Sequence, residues 1–205
     1  MRRRRRGWAP AVLLTLMAIG CAAGPEAPPA ARLIRPEWKV GDRWVFRRTP
    51  ALGTPVFVTH EVMEATPEGY TVRMTRLGQE ILRYWTRDLH LARQTVGGQP
   101  LNRFEPAARY FEWPLRPGKT WTQEFDYEDG RADGHYTNQW RIAKQAERVD
   151  LLAGWFVALK IERLSEGGEP LDTYWYVPEL RYWARFTDHA NRYTEELVEF
   201  APGSA

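Results

Sequence analysis

What the chain lacks narrows it first. Its 205 residues include a single cysteine, Cys21, so no disulfide can staple the fold. Serine is confined to Ser165 and Ser204. Ser165 borders a Glu-Gly-Gly turn, Ser204 lies in the tail, and no Gly-x-Ser-x-Gly occurs, which leaves a serine hydrolase without a nucleophile. The four histidines, His60, His90, His135 and His189, do not fall at metal-ligand spacing, and no cysteine joins them. A glycine-rich phosphate loop is missing. Missing too is an apolar run of the ~20 residues that would span a bilayer. No cofactor, no metal and no catalytic set is therefore expected, which favours a protein that binds over one that converts.

Carboxylates do cluster once, from Asp126 to Gly134, with Glu128, Asp129 and Asp133 between. The spacing departs from an EF-hand loop, and the segment reads as a hairpin turn at Asp129-Gly130. Glu195 and Glu196 adjoin on a strand-like stretch. Successive strand side chains point to opposite faces, so these two cannot act as a catalytic pair by themselves.

The first twenty residues carry a different kind of signal. Arg2 to Arg6 are followed by the apolar run Ala11 to Ile19, then Gly20 and Cys21. A positive head, a short apolar stretch and small residues before a cut make a secretory signal. Ala18-Ile19-Gly20-Cys21 resembles a bacterial lipobox, in which the cysteine becomes lipidated; Ala18 stands where leucine is commonest. The alternative is an ordinary cut near Ala22-Ala23, and the arginine run also allows twin-arginine export. Lipidation is favoured because the only cysteine falls at this spot. Residues 1–20 then form the signal peptide and residues 21–35, with Pro25, Pro28 and Pro29, a tether. Residues 36–200 form one β domain and residues 201–205 a tail. Ala22 follows the cysteine, and the enteric sorting rule sends a lipoprotein without Asp there to the outer membrane, facing the periplasm.

Processing also changes the charge. The whole chain is formally +3, but five of its 29 Lys and Arg precede Cys21 and none of its 26 Asp and Glu does. The remainder is formally −2, so the basic balance belongs to the removed segment. Nucleic acid is excluded as a partner, since such a domain needs a basic footprint that survives processing.

What is abundant is aromatic: 10 Trp, 9 Tyr and 8 Phe. These suit half-buried strand surfaces, and period-2 alternation runs through the body. Trp44 to Phe46, Val56 to Met63, Tyr70 to Leu77, Thr120 to Tyr127, Tyr136 to Ile142 and Phe156 to Ile161 read as strands. Turn signals separate them at Pro67-Glu68-Gly69, Gly97-Gly98, Asp129-Gly130, Gly167-Gly168 and Pro178-Glu179. Only Asn102 to Phe111 suggests a turn of helix. The fold class is all-β: an antiparallel meander, closed into a barrel or strongly curved. An internal repeat is expected over about 38–97 and 113–187. It matches Gly41-Asp42-Arg43-Trp44 with Gly118-Lys119-Thr120-Trp121, and Tyr84-Trp85 with Tyr174-Trp175.

Three motifs of the second half carry a resemblance. They are Pro114-Leu115-Arg116-Pro117-Gly118-Lys119-Thr120-Trp121, the stretch from Glu147 to Glu162 around Ala153-Gly154, and Thr173-Tyr174-Trp175-Tyr176-Val177-Pro178. Over about 114–186 the chain resembles uncharacterised bacterial envelope lipoproteins and the domain-of-unknown-function group DUF3108. That resemblance implies a β-rich fold and no activity. Two functions are expected: a lipid-anchored, non-enzymatic module binding another envelope component, or a carrier or sensor of an apolar ligand inside the curved sheet or barrel. The aromatics expected to line such an interior are Trp44, Trp85, Trp121, Trp140, Trp175 and Trp183.

Overall fold

The computed structural model describes residues 32–130 and 133–204. Cys21, the signal peptide and most of the tether lie outside these, as do residues 131 and 132 of the acidic loop. Thirteen strands follow one another: β1 (Arg43–Pro50), β2 (Val56–Ala65), β3 (Gly69–Arg76), β4 (Gln79–Thr86), β5 (Leu91–Val96), β6 (Gln99–Ala108), β7 (Thr120–Glu128), β8 (Asp133–Ile142), β9 (Glu147–Leu151), β10 (Gly154–Leu164), β11 (Pro170–Val177), β12 (Tyr182–Asp188) and β13 (Tyr193–Ala201). A 3₁₀ turn, Pro178–Leu180, links β11 to β12.

Each strand pairs with the next, except that β8 passes over β9 to pair with β10, and β13 pairs with β1. Twelve strands thus close an antiparallel barrel and leave no free edge among them. The thirteenth, β9, prolongs β8 after a break at residues 143–146: β8 pairs with β10 at Ile161–Leu164, and β9 pairs with β10 at Gly154–Ala158. Asn102 to Phe111, where a helical turn was expected, begins instead within β6. Its pairing with β5 at Arg93↔Arg103 and with β7 at Phe104↔Tyr127 outweighs local propensity.

Alternation in sequence sets what points inward. In β7, Trp121, Gln123 and Phe125 are buried while Thr120, Thr122 and Glu124 are exposed. Outside, charges pair across the wall: Arg43 with Glu199, Arg73 with Glu61, Arg47 and Arg185 with Glu196. A membrane-spanning barrel needs the opposite pattern, an apolar outer band.

Twelve strands enclose more space than eight, and large rings fill it. One rim is sealed. Trp38, from the segment before β1, packs against Trp44, Tyr70, Trp85 and Tyr182 at 5.3–5.8 Å between ring centres. Residues 109–119, joining β6 to β7, turn into the same space. Tyr110 meets Trp85 and Tyr174, and Phe111 meets Tyr176 and Trp183. Gln123 pins this plug from inside: it accepts from Arg109 N at 2.6 Å and donates to Ala107 O at 2.8 Å. Asp42, fully buried, ties the rim together by accepting from Arg181 at 2.6 Å and from Gly203 N at 2.8 Å.

The expected internal repeat is not established. Trp44 and Trp121 both face inward, but Trp85 is buried in the lumen while Trp175 stands on the outer wall under Arg185. The two halves are out of phase at that pair.

Candidate functional site

Above the aromatic plug the lumen turns polar. A cavity of about 220 Å³ is left there. Its floor is Trp85, Leu91, Tyr110 and Trp183, and its walls carry three arginines and three carboxylates: Arg48, Arg83, Arg163, Asp172, Asp188 and Glu195. The strands place these residues by alternation. Arg48 shares the inward face of β1 with Trp44 and Phe46, and Glu195 that of β13 with Leu197. Glu196 points outward to Arg47 and Arg185, as the sequence required of neighbours.

Two of the arginines are spoken for. Arg48 donates from Nε to Glu195 at 2.7 Å, and Arg163 from Nε to Asp172 at 2.6 Å. Burial pushes the Asp172 carboxyl up, against the pull of Arg163. Asp188 accepts from Asn191 N at 2.7 Å and so shapes the β12–β13 turn. Arg83 is different. Among the described residues no carboxylate lies within ion-pair distance of it, and its buried Nε has no hydrogen-bond partner. The indole N–H groups of Trp85 and Trp183, both buried, are unpartnered as well. Three residues that line the cavity therefore each carry a buried, unsatisfied donor. A buried donor left so costs about 1–3 kcal/mol, a cost that an acceptor in the cavity would relieve.

Beside the cavity, His60 is buried against Phe46, Tyr182 and Trp183, with Nδ1 3.0 Å from the Tyr182 hydroxyl. Burial holds the Tyr182 hydroxyl protonated to well above its ordinary range. The other ring nitrogen, His60 Nε2, is buried without a hydrogen-bond partner. Burial first, then the charges of Arg83 and Arg48, hold His60 neutral to well below its ordinary range. The unfolded chain binds a proton there as pH falls through about 6.5; the fold resists it. The unfolded state thus binds more protons below that pH, and stability falls as pH drops. In His60→Gln this acid limb is expected to flatten by up to about 1.4 kcal/mol per pH unit, read from urea midpoints at about pH 5 and pH 7. His90, also lowered by burial, is present in both proteins and cancels.

The other expected site residues are dispersed. Trp85 and Trp183 line the cavity. Trp140 stacks on Trp121 at 5.5 Å and backs Tyr110 and Tyr174. Trp44 lies in the plug, stacked on Tyr182 at 4.6 Å. Trp175 is on the outer wall, bonded to Glu147, and lines no interior space. Of the six tryptophans, Trp85 and Trp183 thus face the space that remains, which they share with charged side chains. Sequence reasoning missed Arg48, Arg83, Arg163 and Asp172. Their one signal was a charge at an inward-facing strand position.

His135 pairs with Asp126 at 2.9 Å on the β7–β8 hairpin, His189 with Thr173 at 2.9 Å, and His90 with the Phe111 carbonyl at 3.2 Å. No group of three or more metal-ligating side chains is assembled among the described residues.

No family model matches the chain, so the likeness to DUF3108 stays a reading of motifs, and no curated protein matches it. Three solved structures resemble it. A protein of Parabacteroides distasonis described as a lipoprotein shares 15% identity, with 83% of this chain and 100% of that one covered and a TM-score of 0.40. An exported protein of Bacteroides fragilis with a YmcC-like fold shares 12%, over 83% and 100%, with a TM-score of 0.43. The hypothetical lipoprotein YmcC of Escherichia coli shares 10%, over 80% and 87%, with a TM-score of 0.41.

Proposed function

We propose that this chain is a lipid-anchored, non-enzymatic binding module of the bacterial envelope. It is held by Cys21 to the outer membrane on the periplasmic side, and its working site is the polar lumen. The observation that carries the reading is the set of unpartnered donors on Arg83, Trp85 and Trp183 around one cavity. They call for acceptor oxygens. The volume, about 220 Å³, holds roughly seven waters at about 30 Å³ each. The ligand is therefore a small molecule bearing a carboxylate or a similar oxyanion, and its charge answers Arg83. Catalysis has less support, because Asp172 and Glu195 are each engaged by an arginine and neither is a free base.

Calorimetric titration of the purified mature protein with small carboxylates, phosphate and amino acids tests this. Saturable binding of at least one such probe is expected. Arg83→Met should weaken it about 10- to 100-fold, as befits loss of a hydrogen bond to a charged group. Removing an uncompensated charge should also leave the empty protein no less stable. Binding that persists unchanged in Arg83→Met would place the ligand elsewhere, and silence from every probe would remove the reading.

A further inference from the structure

The sealed rim carries an apolar surface that the lumen does not use. A groove of about 400 Å³ is lined there by Leu33, Pro117, Ala146, Val157, Leu159 and Pro178. Beside it the β9–β10 hairpin leans over the outer wall, with Glu147 bonded to Trp175 and the Asp150 carbonyl accepting from Arg185. Val149 and Ala158 of this hairpin are buried, but its other face is bare: Leu152 is 67% exposed, Trp155 62% and Val157 54%. Ile34, next to Leu33, is 81% exposed. At many outward positions of the wall alternation puts charge; here it puts Trp and Val.

We propose that this face rests on the bilayer that holds the lipid on Cys21. The inference rests on the anchored-lipoprotein reading above. Twelve residue steps separate Cys21 from Leu33, at most about 40 Å of extended chain. Leu33 is fixed to Leu115 by two backbone hydrogen bonds of 2.9 Å. The tether therefore leaves the barrel through a wall of the groove, and the rim nearest the anchor is the apolar one. The composition suits a membrane interface, where indoles settle at headgroup level and long cations reach toward phosphates. The Arg148 guanidinium lies 5.1 Å from the Trp155 ring centre, and Lys144 stands on the groove. At the opposite rim Leu52 and Leu77 are exposed in separate hairpin tips, and Asp188 and Tyr193 join the cavity to an open groove. The lumen then opens away from the bilayer.

Acylation of Cys21 leaves the mature chain free of other thiols, so single labels can be placed cleanly. Leu152→Cys, Trp155→Cys and, as a control, Leu77→Cys would carry an environment-sensitive fluorophore on lipidated protein in phosphatidylethanolamine–phosphatidylglycerol vesicles. The hairpin labels should shift to the blue and be quenched by nitroxide lipids, and the Leu77→Cys label should do neither. Hairpin labels as wet as the control would overturn the proposal. So would shielding that follows protein density and escapes nitroxide lipids, because a second copy would then cover the face. If mass spectrometry finds Cys21 bare, the anchor reading fails alone. A mature chain with Cys21→Ser, given the same labels and excess vesicles, then decides: the blue shift at the hairpin on adding lipid supports the membrane face, and no shift overturns it.

Discussion

Trp38→Ala is expected to cost the barrel about 3–5 kcal/mol, the range for emptying a buried tryptophan site. Trp38 precedes the first strand and owes nothing to the sheet, yet it is buried with four aromatic neighbours at 5.3–5.8 Å. Its indole also donates to the Arg181 carbonyl at 2.9 Å. That bond ties the entering segment to the turn between β11 and β12. Truncation would leave a void and an unpaired carbonyl together, and large rings around it cannot collapse into the space without leaving their own stacking. Trp155→Ala makes the control. Trp155 is as large but exposed, so in lipid-free solution its loss should fall within about 0.5 kcal/mol of neutral. Urea midpoints at unchanged m-value would measure both. Equal effects would mean that the plug does not hold the barrel.

The strands were legible because one physical rule writes them. A wall with a buried side and a wet side forces period 2, and Trp121, Gln123 and Phe125 against Thr120, Thr122 and Glu124 obey it. Closure was left open as one of two outcomes, since nothing local in β1 or β13 says that they pair. β9 and β10 are joined by the two residues Leu152 and Ala153, and Gly154, which opens β10, sits at φ 123°. The helical turn suggested near Asn102 failed because ladder partners on the neighbouring strands β5 and β7 decide that stretch. The site was far less legible. A tryptophan looks the same in sequence whether it plugs a barrel, lines a cavity or decorates a wall, and Trp44, Trp85 and Trp175 do these three things. The arginines hid for the converse reason. On an alternating strand an inward Arg48 breaks the pattern at one position, and its justification, Glu195, lies 147 residues away.

That pair is where the polar lumen can be taken apart. The Glu195 side chain is 3% exposed and that of Arg48 14%. Glu195→Leu would leave Arg48 buried without a partner and close to an already uncompensated Arg83; breaking a buried pair from one side costs about 3–5 kcal/mol. Arg48→Met should cost less, because Arg83 faces the same cavity and can partly answer Glu195, while Arg48 loses its stacking on the Tyr193 ring at 4.3 Å. The double variant Arg48→Met/Glu195→Leu should return to within about 1 kcal/mol of the parent or exceed it, since apolar replacements of a buried pair are often neutral or stabilising. A double-mutant cycle in urea would report the coupling; single costs that simply add would show the pair to be indifferent. The same variants separate fold from function. Glu195→Leu removes a negative charge from the cavity wall, so a carboxylate probe should bind it more tightly even as the barrel weakens. The double variant restores both the balance of charge and the fold, and keeps Arg83. If binding instead tracked stability through the series, the lumen would be a structural core with a flaw in it, and the donors on Arg83, Trp85 and Trp183 would await nothing but water.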